Sequence, residues 1–238
     1  MSGAEVVLRA DSIGKSYASR TVLRSAYCQA SAGEVTVLLG RNGAGKSTLL
    51  KIAAGWVSAD HGFVEFRGRR HPRPRAALLA REGLFFLPVD RSPLVPRFTL
   101  AQHLDALEAR FGRGESAARQ GMLELLGIAP LEHTPTAALS GGERRRAELA
   151  LALVHRPRCL LADEPFRGID PQEAEVVRDA LVELARSGCA VVLTGHEMTW
   201  MLEVGDRFVW VRKGSTEPLG GRAEALSHWR FRREYLGG

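Results

Sequence analysis

The stretch Glu34-Val35-Thr36-Val37-Leu38-Leu39-Gly40-Arg41-Asn42-Gly43-Ala44-Gly45-Lys46-Ser47-Thr48 decides how the rest of the chain is read. An apolar run stops at a glycine, and a helical pattern, KSTLLKIAA, opens at Lys46 with Gly55 placed to end it. Between strand and helix the residues fit G-x-x-x-x-G-K-[ST], the pattern of a phosphate-binding loop. Its glycines let backbone N–H groups turn inward around phosphate oxygens without Cβ collisions. The helix that follows aims the positive end of its dipole at the same anion. Lys46 is expected to reach the β- and γ-phosphates, and the Ser47 hydroxyl to ligate Mg²⁺. Residues Gly40, Arg41, Asn42, Gly43, Ala44, Gly45, Lys46, Ser47 and Thr48 are therefore the expected nucleotide cradle.

Working outward, VVLRADSI and TVLRSAYCQA precede this loop as strand patterns, and GFVEFRG and GLFFLP follow it. From about Arg91 to Thr136 the pattern turns helical, with AQHLDALEARF and ESAARQGMLELLGI the clearest segments. Strands and helices then alternate again: RCLLADEP, a helix from Pro171 to Arg186, CAVVLTG, a short helix, and RFVWVRKG. This order predicts an α/β fold whose parallel-sheet core, residues 1–90 and 137–238, is interrupted by a helical subdomain at 91–136.

The run Cys159-Leu160-Leu161-Ala162-Asp163-Glu164-Pro165 places two carboxylates at the end of an apolar strand. Asp163 is expected to hold the metal, directly or through water, and Glu164 to act as general base on the attacking water. A DE pair after a strand also suits a helix N-cap; the phosphate loop earlier in the chain favours the catalytic role. Leu139-Ser140-Gly141-Gly142-Glu143 carries an S-x-x-E capping box at a helix start. A helix N-terminus presenting serine and glycine backbone is itself an anion site, so capping and phosphate binding can hold together.

On these three motifs the chain resembles the ATP-binding cassette family, whose signature is LSGG followed by Gln or Glu. The resemblance covers nearly the whole chain. It implies a P-loop NTPase fold of the RecA-like kind, with an antiparallel β subdomain beside the parallel core and the helical lobe inserted. It assigns Tyr17 to stacking on adenine, and Ser140, Gly141 and Gly142 to the γ-phosphate of ATP held by a second cassette. It places Asp170, in Gly168-Ile169-Asp170, on the loop crossing the dimer interface, and His196 at the γ-phosphate. The expected cofactors are ATP and Mg²⁺, and the expected partners a second cassette, as a homodimer, and separate transmembrane permease subunits. No specific nucleic acid is expected. The helical lobe and the loop at Val89–Pro96 are where a membrane partner would dock.

One residue departs from the pattern. The resemblance implies a glutamine after GLFFLP, touching Mg²⁺ and the attacking water, and this chain has Val89 there. Asp90 would replace it if the loop slipped by one residue. Within the family, LSGGERRRAELALAL, LLADEPFRGIDP and the terminal REYLGG look most like lipopolysaccharide-export ATPases, with branched-chain amino-acid importer ATPases close by. A soluble, non-transport cassette, as in iron–sulfur assembly, and a nucleotide-gated module with weak hydrolysis are the alternatives at this level.

Composition narrows the remaining classes. Forty-five per cent hydrophobic and 25% charged residues over 238 positions describe a globular chain with one large domain. The longest stretch free of charged residues, such as Ser187–His196, is half of the roughly twenty needed to span a bilayer. The opening MSGAEVVLRADS has no basic segment leading into an apolar one, so no secretory signal is expected. The expected location is cytoplasmic, peripheral on the inner face of the membrane through partner subunits. Cys28, Cys159 and Cys189 lie far apart in apolar contexts and read as buried thiols. The net charge of +6 comes from 33 basic residues of which only four are lysines, and it concentrates in Phe66–Arg75 and His228–Tyr235. In the second cluster Trp229, Phe231 and Tyr235 interleave with arginines. That tail reads either as docked on its own domain or as a contact for anionic lipid or a partner.

Overall fold

The computed structural model describes residues 4–111 and 116–237. Its centre is five parallel strands in the order β9 (Arg207–Arg212), β3 (Val35–Leu39), β8 (Ala190–Thr194), β7 (Cys159–Asp163) and β6 (Leu84–Leu87). Strands buried on both faces should be apolar throughout, and VTVLL, CLLAD and AVVLT are buried at every position. Their alternation divides the interior into two layers. Val37, Leu39, Leu160, Ala162, Val191 and Leu193 face one layer, and Leu38, Leu161 and Val192 the other.

The first layer is covered by α5 (Gly141–His155) and α6 (Pro171–Arg186), which pack on one another. Helix α6 starts where Pro171 follows Asp170, whose Oδ1 accepts from Glu173 N at 2.8 Å, and it buries Ala174, Val177, Leu181 and Leu184 on one stripe. The second layer is covered by α1 (Lys46–Ala53) and by the antiparallel strands β1 (Val6–Tyr17), β2 (Arg20–Ser31), β4 (His61–Phe66) and β5 (Arg69–His71). Strand β10 (Ser215–Gly220) pairs antiparallel with β9 and touches β2 at Ser215 and Ser25, which joins all ten strands into one sheet. The expected combination of parallel core and antiparallel β portion is present. Cys28, Cys159 and Cys189 are buried and free, and burial pushes the Cys28 and Cys189 thiols up to about 12.

Between Val89 and Thr99 the chain is a loop rather than the start of the helical region. Pro93 and Pro96 disfavour helix in the residues before them. Helix α3 (Leu100–Phe111) begins only after Thr99, whose hydroxyl accepts from Gln102 N at 3.2 Å while Gln102 Oε1 accepts from Thr99 N at 2.9 Å. Helices α3 and α4 (Ser116–Leu125) both pack on α5. Arg119 ties the lobe together, 2.6 Å from both Asp105 and Glu132.

The tail folds back onto the domain. After α8 (Arg222–Ser227), a short turn at Trp229–Phe231 leads into a single π-helical turn at Arg232–Leu236. Phe231 is fully buried, with its ring edge on Trp210 at 5.6 Å and stacked on Tyr235 at 5.1 Å. Burying a phenylalanine side chain contributes about 1.5–3 kcal/mol, enough to hold a short turn in place. Trp229 and the arginines around it stay exposed.

Candidate nucleotide site

The parallel order β3-β8-β7-β6 brings the carboxyl ends of four strands side by side, and four of the candidate groups follow them. The phosphate loop follows β3, Asp163 and Glu164 end and follow β7, Thr194 and His196 end and follow β8, and Val89 follows β6. Around this edge lies a cavity of about 550 Å³, walled by Arg20, Val22, Asn42 to Thr48, Val89, Glu164, Arg167 and His196. Gly40 and Arg41 stand behind the loop instead, and Arg41 lines a separate cavity toward the tail. Tyr17 is exposed at the β1–β2 turn, outside that wall, with Lys15 Nζ 5.4 Å from its ring centroid.

Two glycines of the loop are required by close approach. At Gly40, with φ 157°, a Cβ would come within 2.4 Å of the Val211 carbonyl oxygen. At Gly45, with φ 107°, it would come within 2.6 Å of Leu23 Cδ2. Lys46 is 5% exposed and its Nζ donates to the Gly40 carbonyl at 2.7 Å. Burial lowers its pKa, opposed by the carboxylates of Glu164, Asp163 and Glu197.

Asp163 is fully buried. Its Oδ1 accepts from Ser47 Oγ at 3.0 Å and from Thr194 Oγ1 at 2.5 Å, while its Oδ2 is buried without a hydrogen-bond partner. A buried carboxylate oxygen left unpartnered is unfavourable on its own, and here it lies next to a second hard oxygen donor, Ser47 Oγ. That pair fits Mg²⁺, which takes oxygen ligands and binds through one or two protein groups plus substrate phosphates. Among the described residues no group of three or more His, Cys, Asp or Glu is placed to hold a metal ion.

Glu164 has a left-handed φ of 50°, sparsely populated for a residue with a side chain. Its N–H is held by Thr194, through the carbonyl at 3.1 Å and the hydroxyl at 3.0 Å. This places the carboxylate, 13% exposed, on the cavity wall with Arg167 Nη1 at 3.4 Å and His196 Nδ1 at 3.8 Å. Arg167 and Arg20 are cations on this wall that sequence reasoning passed over. Arg167 stands three residues beyond Glu164 and was legible from that spacing.

Val89 sits on the wall, and Asp90 does not take its place. The Asp90 carboxylate pairs with Lys51 Nζ at 2.7 Å, which lowers its pKa and holds it toward α1. A Val89→Gln variant is expected to speed hydrolysis by about 2–10-fold, the worth of one net hydrogen bond to the attacking water, measured as steady-state phosphate release. Unchanged turnover would show that this position is catalytically idle.

Ser140, Gly141, Gly142 and Asp170 are absent from the cavity wall. Ser140 caps α5: its hydroxyl accepts from Glu143 N at 3.2 Å, and the Glu143 carboxylate accepts from Ser140 N at 2.8 Å. Gly142 is buried against α6, where a Cβ would meet the Glu173 carboxylate at 1.8 Å. Ser140 and Gly141 are exposed, so the start of α5 is accessible outside the cavity that the phosphate loop lines.

Comparison with known proteins identifies the family. Residues 23–167, more than half of the chain, match the family model described as ABC transporter. The lipopolysaccharide export system ATP-binding protein LptB of Haemophilus influenzae is 32% identical over 235 residues, 97% of each chain. LptB of Acidithiobacillus ferridurans is 35% identical over 233 residues, again 97% of each. A crystal structure of the ADP conformation of an ATP-binding cassette of an ABC transporter superposes with a TM-score of 0.83 at 25% identity, covering 98% of this chain and 99% of that one. The chain belongs to the ABC transporter family, as one of its ATP-binding, ATP-hydrolysing cassette subunits.

Proposed function

We propose that two copies of this chain close around two molecules of MgATP, and that closing and reopening drives separate membrane-spanning subunits. The observation that carries this reading is the separation of the two anion sites. Lys46 and Ser47 line one cavity, while the exposed Ser140 and Gly141 stand outside it, at the N-terminus of the largely buried helix α5. A γ-phosphate cradled by Lys46 of one copy gains its second set of donors from Ser140 of the other only when the copies meet, which is why ATP favours the closed state. Asp170, at the N-terminus of α6, takes the interface beside it.

Within each site Glu164 accepts a proton from the attacking water, and His196 donates to the γ-phosphate. Lys46 neutralises developing charge from below. Tyr17 stacks on adenine at the mouth. Ser47 and Asp163 would hold Mg²⁺, which when bound would supply positive charge against the negative charge of the phosphates. Residues 91–136 and the loop at Val89–Pro96 form the surface for the permease, and residues 1–90 and 137–238 the catalytic core. No helix among the described residues is long and apolar enough to cross a membrane. The proposed coupling to permease subunits is what locates the chain at the cytoplasmic face of the membrane, held there by its partners, with no specific nucleic acid expected.

Hydrolysis per chain is expected to rise steeply with protein concentration and then level, because the active species is a dimer. A rate per chain independent of concentration, in a protein monomeric by light scattering with ATP, would refute the two-copy site.

A further inference from the structure

The last turn of the chain lies against the back of the phosphate loop, almost two hundred residues away in sequence. Arg41 Nη2 donates to the Glu234 carbonyl at 2.9 Å, and Tyr235 OH donates to the Gly40 carbonyl at 3.5 Å. Glu234 also reaches the end of β9, its carboxylate 2.7 Å from Arg212 Nη2. Gly40 is pressed against the same strand, where the Val211 carbonyl leaves no room for a Cβ. The start of the loop is thus held between the end of β9 and the turn at Arg232–Leu236. Phe231 anchors that turn by its full burial between Trp210 and Tyr235. Elsewhere the loop is weakly backed: Arg41 to Ala44, Trp210 to Lys213, Glu234 and Tyr235 surround a cavity of about 410 Å³ behind it.

Two details connect these contacts to nucleotide binding. The Gly40 carbonyl that accepts from Tyr235 also accepts from Lys46 Nζ at 2.7 Å, so the tail and the phosphate-reaching ammonium share one oxygen. Arg41 lines the rear cavity and is absent from the phosphate cavity, so its side chain serves the shape of the loop.

We propose that the C-terminal turn is a strap that preorganises the phosphate loop, with Arg41, Glu234 and Tyr235 as positioning residues that raise nucleotide affinity without touching the nucleotide. A loop already held in its binding shape loses less conformational freedom when phosphate arrives. Linkage requires the converse: a bound nucleotide must hold the tail more tightly. The proposal rests on the assignment of Gly40–Thr48 as the nucleotide site.

The test uses the full chain and MgADP, which separates binding from turnover. Hydrogen–deuterium exchange of the backbone amides at 231–237 should slow by about fivefold or more when MgADP is saturating, the lower range of measured site-to-site couplings. Equilibrium binding of a fluorescent ADP should weaken by about 3–10-fold in Arg41→Ala and in Tyr235→Phe, and the double variant should lose less than the product of the two. Arg41→Lys should recover part of the loss, whereas Trp229→Ala, an exposed tail change outside the strap, should bind as wild type does. Affinity within twofold of wild type in both single variants would overturn the strap, as would tail exchange that ignores MgADP. Failure of the wild type to bind ADP at all would instead overturn the nucleotide-site assignment, and the strap with it.

Discussion

Replacing Glu164 by glutamine is expected to cut ATP hydrolysis by about 10²–10⁴-fold, the worth of a positioned general base, with ATP affinity nearly unchanged. The amide has the shape of the carboxylate. It can still accept from Arg167 Nη1, now 3.4 Å away, and it leaves undisturbed the Thr194 contacts that hold the backbone of residue 164. It cannot take a proton. The left-handed φ at this position is a property of the backbone, and neither side chain relieves it. The substitution therefore removes one chemical capacity and little else. In the two-copy reading it has a second consequence. ATP that binds and is not cleaved keeps supplying the γ-phosphate that joins the copies, so the variant should elute as an ATP-dependent dimer where wild type is transient. Hydrolysis within a few fold of wild type would place the base elsewhere. Loss of both hydrolysis and ATP binding would mean that Glu164 shapes the cavity rather than acting on water.

Much of this site was legible because its parts are local. The phosphate loop announces itself through glycines at fixed offsets before Lys46, since only a small set of spacings lets consecutive N–H groups point inward. The strand that delivers Asp163 is legible because a strand buried on both faces must be apolar until it ends. The helix Pro171–Arg186 has the bounds expected, since Asp170 and Pro171 fix its start and its apolar stripe ends at Ala185. Strand β10 went unread because STEPLG carries a proline, two polar residues and a charge. The signal was there in the Lys213-Gly214 pair after RFVWVR, whose φ values of 48° and 80° make the two-residue hairpin turn.

What the sequence concealed is long-range. Nothing near Asp90 says that Lys51, a helix and three strands earlier, will claim its carboxylate. Nothing near Glu234 says that it will meet Arg41. Such pairs arise from how the sheet orders its strands, and β9 comes to stand beside β3 only after the chain has passed through β6, β7 and β8 on the other side of β3. The aromatic residues of the tail were compatible with docking or with a lipid surface. The structure divides them, burying Phe231 and leaving Trp229 63% exposed.

Asp163→Asn carries the second large expectation, and its readout does not depend on turnover. Asp163 is a fully buried carboxylate with one oxygen doubly hydrogen-bonded and the other without a partner. Such a charge is costly unless a cation accompanies it, and Lys46 alone is already engaged with the Gly40 carbonyl. Asparagine keeps an acceptor for Ser47 and Thr194 and removes the charge. The unliganded variant should therefore melt at or above the wild-type temperature. The wild type should gain stability with MgADP beyond what ADP in EDTA provides, up to about 2.7 kcal/mol if the ion is present at a hundred times its dissociation constant. The variant should lose that magnesium-dependent increment, and its hydrolysis should fall by about 10²-fold or more, since the charge that cleavage develops would go uncompensated. An undiminished magnesium increment would show that the ion is held by other residues. A large fall in the melting temperature of the unliganded variant would show instead that Asp163 serves the packing of β7 against β8 and α1, with the ion secondary.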